Sequence, residues 1–206
     1  VQGGTVKTKV IIPWREDESR KPGFEWLCKY YEHRLGTGSV YVSPSPAGPF
    51  NRSAAINAGI RKFPGCRIVI SDADCFICNH GLNRALVEVD DSEMVIPHNQ
   101  FVPCNRTQKQ WLLAKDPREP VRANWWKNRR QRRCAQSGIW VVTYDFFMAS
   151  PMDERFAGWG CEDTEFLRRR LSRRFNGPLY HILHKRPSKK HFRRNKKLAR
   201  EIRAGK

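Results

Sequence analysis

Short apolar runs alternating with helical patterns predict an α/β layered fold with a mixed, mostly parallel central sheet flanked by helices. Three observations carry this. Val10-Ile11-Ile12 is a buried-strand signal after a polar start, and Lys21 to Leu35 repeats apolar residues at helical spacing. The alternation then continues to about position 96. The 206 residues suffice for one domain with a real core, and 39% hydrophobic content suits a globular chain.

The elements follow in order. Lys9 to Pro13 is the first strand. The helix at Lys21 to Leu35 places Phe24, Leu27, Cys28, Tyr31 and Leu35 on one face. Ser39 to Ser43 is a second strand, followed by a Pro-rich loop to Pro49. Ser53 to Lys62 is a helix, with Ser53 as its N-cap and Pro64-Gly65 as its stop. Arg67 to Ile70 is a third strand ending in Ser71-Asp72-Ala73-Asp74; a helix at Leu82 to Val89 and a strand at Glu93 to Ile96 come next. Residues 97–138 are polar and basic and read as an excursion from the sheet. Ile139 to Tyr144 returns to strand, Glu162 to Phe175 is a helix with acids first and arginines after, and Leu179 to Leu183 is a last strand. Residues 1–185 then form the main domain, and 186–206 a basic helix or tail.

Lys plus Arg is 39 against 20 for Asp plus Glu, a formal charge of +19. Such an excess attracts polyanions and says nothing about fold. The seven cysteines are odd in number and scattered, which argues against a disulfide scaffold, and Cys75-x-x-Cys78 lacks the second pair that a zinc site needs. No apolar run approaches a membrane span, so a cytoplasmic protein is expected.

Four motifs carry chemistry. Asp72-Ala73-Asp74 sits where open sheets bind ligands, and two carboxylates there can hold Mg²⁺ or Mn²⁺ beside a diphosphate. Alone, the pattern is weak, and an ordinary acidic turn is the commoner reading. Phe156 to Asp163 sets Trp159 between glycines, then opens a helix on Glu162-Asp163. A Trp on such a loop can close over a sugar, and a carboxylate can take a hydroxyl proton; helix capping is the plain alternative. His181-Ile182-Leu183-His184 offers imidazole ligands, although on a strand two residues three apart face opposite sides. Phe50-Asn51-Arg52 opens a helix, and Arg52 and Arg15 lie just beyond strand ends, as phosphate ligands or as surface cations.

In this order the motifs resemble the β-1,4-galactosyltransferase family and the N-acetylgalactosaminyl-transferring modules of bacterial chondroitin polymerases, over about Val10 to Lys185. The resemblance implies a GT-A fold, a UDP-sugar donor and a Mn²⁺ (or Mg²⁺) cofactor. It puts Pro13, Arg15, Arg52, Asp72, Trp159 and Gly160 at the donor, with Asp74, His184 and His181 at the metal. Asp163 is implied as the catalytic base of an inverting transfer, and Glu162 as a sugar contact beside it. The chain departs from the family at Trp14 (usually Phe), at Cys161 (often Gly) and at His181 (a Met ligand in galactosyltransferases), and it has no counterpart of the membrane anchor or secretory disulfides. A bacterial or phage version fits that pattern.

The excess charge clusters in Lys127 to Arg133, Arg168 to Arg174 and Lys185 to Lys197. Trp125 and Trp126 beside Arg129, Arg130, Arg132 and Arg133 suit a phosphate backbone with stacked or flipped bases. A nucleic-acid acceptor such as a hydroxymethylated base in DNA is therefore expected, with protein or glycan hydroxyls as the other acceptors. A non-catalytic nucleic-acid-binding domain accounts for the charge but leaves the acidic motifs unexplained.

Overall fold

The computed structural model describes residues 6–122, 137–185 and 190–205, and the backbone of 132–133. A six-stranded mixed sheet forms the centre, in the order β2 (Val40–Pro44), β1 (Thr8–Trp14), β3 (Arg67–Ser71), β8 (Ile139–Thr143), β5 (Met94–Ile96), β9 (Ser172–Arg174). β1 pairs parallel with β2 and β3, and β5 with β9; β8 runs antiparallel between β3 and β5. Side chains alternate strictly between two hydrophobic clusters. Val10, Ile12, Val69 and Val141 join one; Ile11, Ile68, Ile70, Trp140 and Val142 join the other. A sheet covered on both faces needs apolar residues at every position, which is why these strands read as unbroken runs.

Helix α1 (Lys21–Leu35) has Pro22 in its first turn, where the missing N–H costs nothing, and ends at Gly36 with φ 95°. Its buried stripe is Gly23, Trp26, Leu27, Tyr30 and Tyr31, rotated from the sequence expectation; Phe24, Cys28 and Leu35 pack only at the margin. The aromatics take the core face because their polar tips find partners. Trp26 Nε1 donates to the Lys115 carbonyl at 3.0 Å and the Tyr30 hydroxyl to that of Ile77 at 2.6 Å.

Helix α2 (Arg52–Ile60) is capped by Asn51, whose side chain accepts from Ala54 N at 2.9 Å. Ser53, expected as the cap, lies buried in the first turn. Helix α3 (Asn79–Glu88) precedes β5. The region expected as an excursion holds β6 (Gln100–Pro103), helix α4 (Arg106–Ala114) with an Asn105–Gln108 capping box, and β7 (Arg132–Arg133). Helix α5 (Tyr144–Met148) follows β8 directly.

Helix α6 (Glu162–Arg168) is half the expected length. The chain after Arg169 becomes the edge strand β9, where Arg173 reaches Glu88 at 3.2 Å and Glu93 at 2.8 Å. Sheet pairing and these ion pairs override the helical pattern. The last strand, β10 (Pro178–His181), stops two residues early, and the basic tail is helix α7 (Phe192–Arg203).

A second sheet, ordered β4 (Cys75–Ile77), β10, β6, β7, was not legible in the sequence. β10 pairs antiparallel with β4, setting His181 opposite Cys75. This register brings the late histidines to the Asp-x-Asp turn. No described helix is long and apolar enough to cross a membrane.

Candidate active site

The site is built at the end of β3. Asp72 N donates to the Gly138 carbonyl at 2.8 Å, and Cys75 N closes the turn on the Asp72 carbonyl at 3.2 Å. Behind it the Tyr31 hydroxyl donates to Ser71 Oγ at 3.0 Å. The two aspartates thus leave a rigid strand end in fixed directions.

Asp74 faces the histidines. His184 Nε2 is 3.0 Å from Asp74 Oδ2, and His181 Nε2 is 3.8 Å from Oδ1. The two Nε2 atoms are 3.3 Å apart. The strand ends at His181, so both rings reach one point despite their spacing. His181 N–C=O geometry is anchored on each side: its carbonyl accepts from Cys104 N at 2.9 Å, and Ile182 N donates to the Asp74 carbonyl at 2.7 Å. His184 Nδ1 lies 2.6 Å from the Lys185 carbonyl. A proton on Nδ1 satisfies that carbonyl and leaves Nε2 as the ligand atom of the neutral ring.

Burial alone would raise Asp74, but the His184 hydrogen bond, with Arg20 and His181, holds its carboxyl well below the ordinary value. His184 is raised by the same hydrogen bond, while burial lowers His181. Ligand atoms of Asp74, Cys75 and His181 also lie within 4.8 Å of one another. Burial pushes the Cys75 thiol up, and sulfur is a soft donor poorly matched to a hard cation. One carboxylate and two imidazoles remain, a donor set that fits Mn²⁺ with positions left for phosphate oxygens. Arg20 Nη2 rests 2.5 Å from Asp74 Oδ2; nothing in its sequence context foretold this.

Asp72 faces the other way, to Arg52. Arg52 Nε donates to Asp72 Oδ1 at 2.7 Å, and the guanidinium lies 5.0 Å over Trp140. Its two terminal nitrogens are buried with no hydrogen-bond partner among the described residues. Burial works against its charge, which Asp72, Glu162 and Asp163 restore. Glu162 likewise has a buried Oε2 without a partner. Its carboxyl is pushed up to about 7 by burial and by Asp163, with Asp72 adding and Arg52 opposing. Buried polar atoms left without protein partners are groups that a bound polar ligand would satisfy.

Glu162 and Asp163 form the first turn of α6, which starts on Cys161 in the left-handed region at φ 77°. Asp163 Oδ1 accepts from Thr164 N at 2.7 Å. The preceding loop is tied to the Phe50-Asn51-Arg52 segment by Gly158 N donating to the Phe50 carbonyl at 2.7 Å. Trp159 is 46% exposed and stacks on Phe192 of α7. Gly160 has φ 106°.

The sequence-picked residues therefore fall in one connected group: His184 and His181, Asp74, Asp72, Arg52, then Glu162 and Asp163. Pro13 is buried within β1 opposite Ser43. Arg15 is engaged by the Pro-rich loop, donating to the Gly48 and Pro46 carbonyls and to Ser45 Oγ at 2.5, 2.5 and 3.0 Å; it shapes the loop and is not a free cation. Trp125, Trp126, Arg129 and Arg130 lie outside the described residues. Arg132 and Arg133 pair through their backbones with Phe101 and Gln100. The sequence reading missed Arg20 and Trp140, the floor under Arg52; it weighed Cys75 only as a zinc ligand and Phe192 only as an aromatic among basic runs, not behind Trp159.

The architecture is the GT-A fold. A Drosophila β-1,4-galactosyltransferase 7 mutant, in complex with manganese, UDP-Gal and xylobiose, superposes with a TM-score of 0.59 at 15% identity, covering 95% of this chain and 80% of that one. A glycosyltransferase involved in the glycosylation of the major capsid of PBCV-1 is similar at a TM-score of 0.44 and 10% identity, covering 93% and 98%. At 15% identity the likeness to the galactosyltransferase is one of fold. No protein-family profile and no curated protein sequence matches the chain.

Proposed function

We propose that this chain is a metal-dependent, inverting glycosyltransferase that moves a sugar from a UDP-sugar to an acceptor hydroxyl. One observation supports this above all: the Asp74–His181–His184 cluster is joined through Asp72 and Arg52 to the acidic pair on α6. Asp74, His181 and His184 would hold the cation. A bound Mn²⁺ or Mg²⁺ supplies charge neutralisation for the departing diphosphate.

The chain's own groups do the rest. The free nitrogens of Arg52 bind donor oxygens, and Asp72 keeps that guanidinium oriented. Glu162, about half protonated near neutrality, can in its protonated form donate a hydrogen bond to a sugar oxygen. Asp163 takes the proton of the acceptor hydroxyl as its oxygen bonds to the anomeric carbon from the opposite face. The bond from that carbon to the phosphate oxygen breaks, and its electron pair leaves with UDP. Trp159 shields the sugar from water.

For the acceptor we favour nucleic acid, with a hydroxymethylated DNA base as the type case. The formal charge of +19 and the basic, Trp-bearing stretch at Trp125 to Arg133 support that choice. The test is UDP release from a panel of UDP-sugars with Mn²⁺, followed by transfer to hydroxymethylcytosine DNA. Asp163→Asn should lower transfer at least about 100-fold while leaving UDP binding nearly intact. Turnover near the wild-type rate would remove Asp163 from the base role.

A further inference from the structure

Helix α7 sorts its side chains into three stripes. Phe192, Asn195, Ala199 and Ile202 turn toward the protein. Asn195 and Ala199 are buried, and Phe192 stacks on Trp159 with ring centroids 5.3 Å apart. Asn195 Nδ2 donates to the carbonyls of Ala157 at 3.2 Å and Trp159 at 3.4 Å. The helix approaches so closely that a Cβ on Gly158 would meet His191 at 2.6 Å, and one on Gly160 would meet Phe192 at 2.7 Å. α7 is therefore seated directly on the loop that leads into Glu162 and Asp163.

A second stripe carries Arg194, Lys197 and Glu201, where Lys197 pairs with Glu201 at 3.7 Å. The third carries Arg193, Lys196, Arg200 and Arg203, at spacings of three, four and three. All four are exposed, and none has an acidic partner among the described residues. Lys196 and Arg203 of this stripe lie near Cys161, the residue before Glu162 and Asp163. The Cys161 thiol, raised by burial and by Glu162 and Asp163, is drawn back by Arg203 and Lys196.

We propose that Arg193, Lys196, Arg200 and Arg203 form a track for the phosphate backbone of a DNA strand, leading its target base to Asp163. The proposal rests on the glycosyltransferase reading and names the element that holds its acceptor. Four cations over ten residue steps of helix span about 15 Å, which at about 3.4 Å per nucleotide of one strand covers roughly four phosphates. Evenly spaced cations at a pitch that matches successive phosphates suit this polymer better than an acidic glycan.

The experiment uses the full chain and a labelled hydroxymethylcytosine oligonucleotide, single-stranded and duplex. The quadruple variant Arg193→Gln, Lys196→Gln, Arg200→Gln, Arg203→Gln should weaken DNA binding at least about 10-fold and make the log–log salt dependence shallower by about 2 to 4. Its acceptor-independent UDP-sugar hydrolysis should stay within about twofold of wild type, because no residue of the track is proposed to touch the donor. Arg194→Gln with Lys197→Gln, on the other stripe, should change the salt slope by less than about 1. Unchanged DNA binding in the quadruple variant would overturn the proposal, as would a per-charge loss equal to that of the second stripe. Tighter wild-type binding to a sulfated glycan than to the oligonucleotide would overturn it in favour of that acceptor. Absence of UDP-sugar hydrolysis in the wild type would sink the enzyme reading alone, since the salt slopes are measured independently of turnover.

Discussion

Replacing Glu162 with Gln should stabilise the metal-free protein above neutral pH and not below pH 4.5. The Glu162 carboxyl moves from an ordinary value of 4.5 to about 7 because it is buried next to Asp163. Between those values the folded state binds a proton that the unfolded state has lost. The stability this contributes is fully present below 4.5 and is lost as pH rises through 7. A shift of this size corresponds to about 3 kcal/mol, at about 1.4 kcal/mol per unit. Glutamine has the same shape and never ionises. Urea unfolding in chelator at pH 4.5, 6 and 8 should therefore show the variant close to wild type at the lowest pH and about 2–3 kcal/mol more stable at pH 8, the lower figure allowing for lost attraction to Arg52. A pH-independent difference between the two proteins would refute the claim that this carboxylate is held under strain. A site that keeps a carboxyl against its own preference trades stability for chemistry.

Further outcomes follow from the same geometry. Arg52→Met should destabilise by about 2 kcal/mol in urea unfolding, because half-buried Asp72 loses its only ion-pair partner among the described residues. Mn²⁺ at about 100 times its dissociation constant should stabilise the wild type by about 2.7 kcal/mol in a thermal melt and leave Asp74→Asn unmoved. That affinity should fall as pH drops through the raised His184 value, since the proton and the metal compete for Nε2. Arg20→Gln should tighten Mn²⁺ binding several-fold by calorimetry, because the guanidinium on Asp74 no longer has to be displaced.

Much of the scaffold was legible because its signals are local. The bounds of α1 follow from Pro22 and Gly36, and the end of β3 from Val69-Ile70 giving way to Asp72. The second sheet was not legible, for a physical reason. β4 and β10 have three and four residues and lie about a hundred positions apart, so their pairing is a tertiary event that no window sees. For the same reason the sequence left open whether His181 and His184 can share a point; the answer depends on β10 stopping at His181. Arg20 and Trp140 belong to the site only through the folded chain, and no motif marks either.

The guanidinium resting on Asp74 gives that carboxylate a positive neighbour before any metal arrives, so its charge is compensated in the folded chain. On the proposed reading, loading would be an exchange of cations, and the fold should survive prolonged chelation intact. An arginine displaced in that exchange would be free to meet the negative charge that an incoming nucleotide brings, which would make metal entry and nucleotide capture mutually reinforcing.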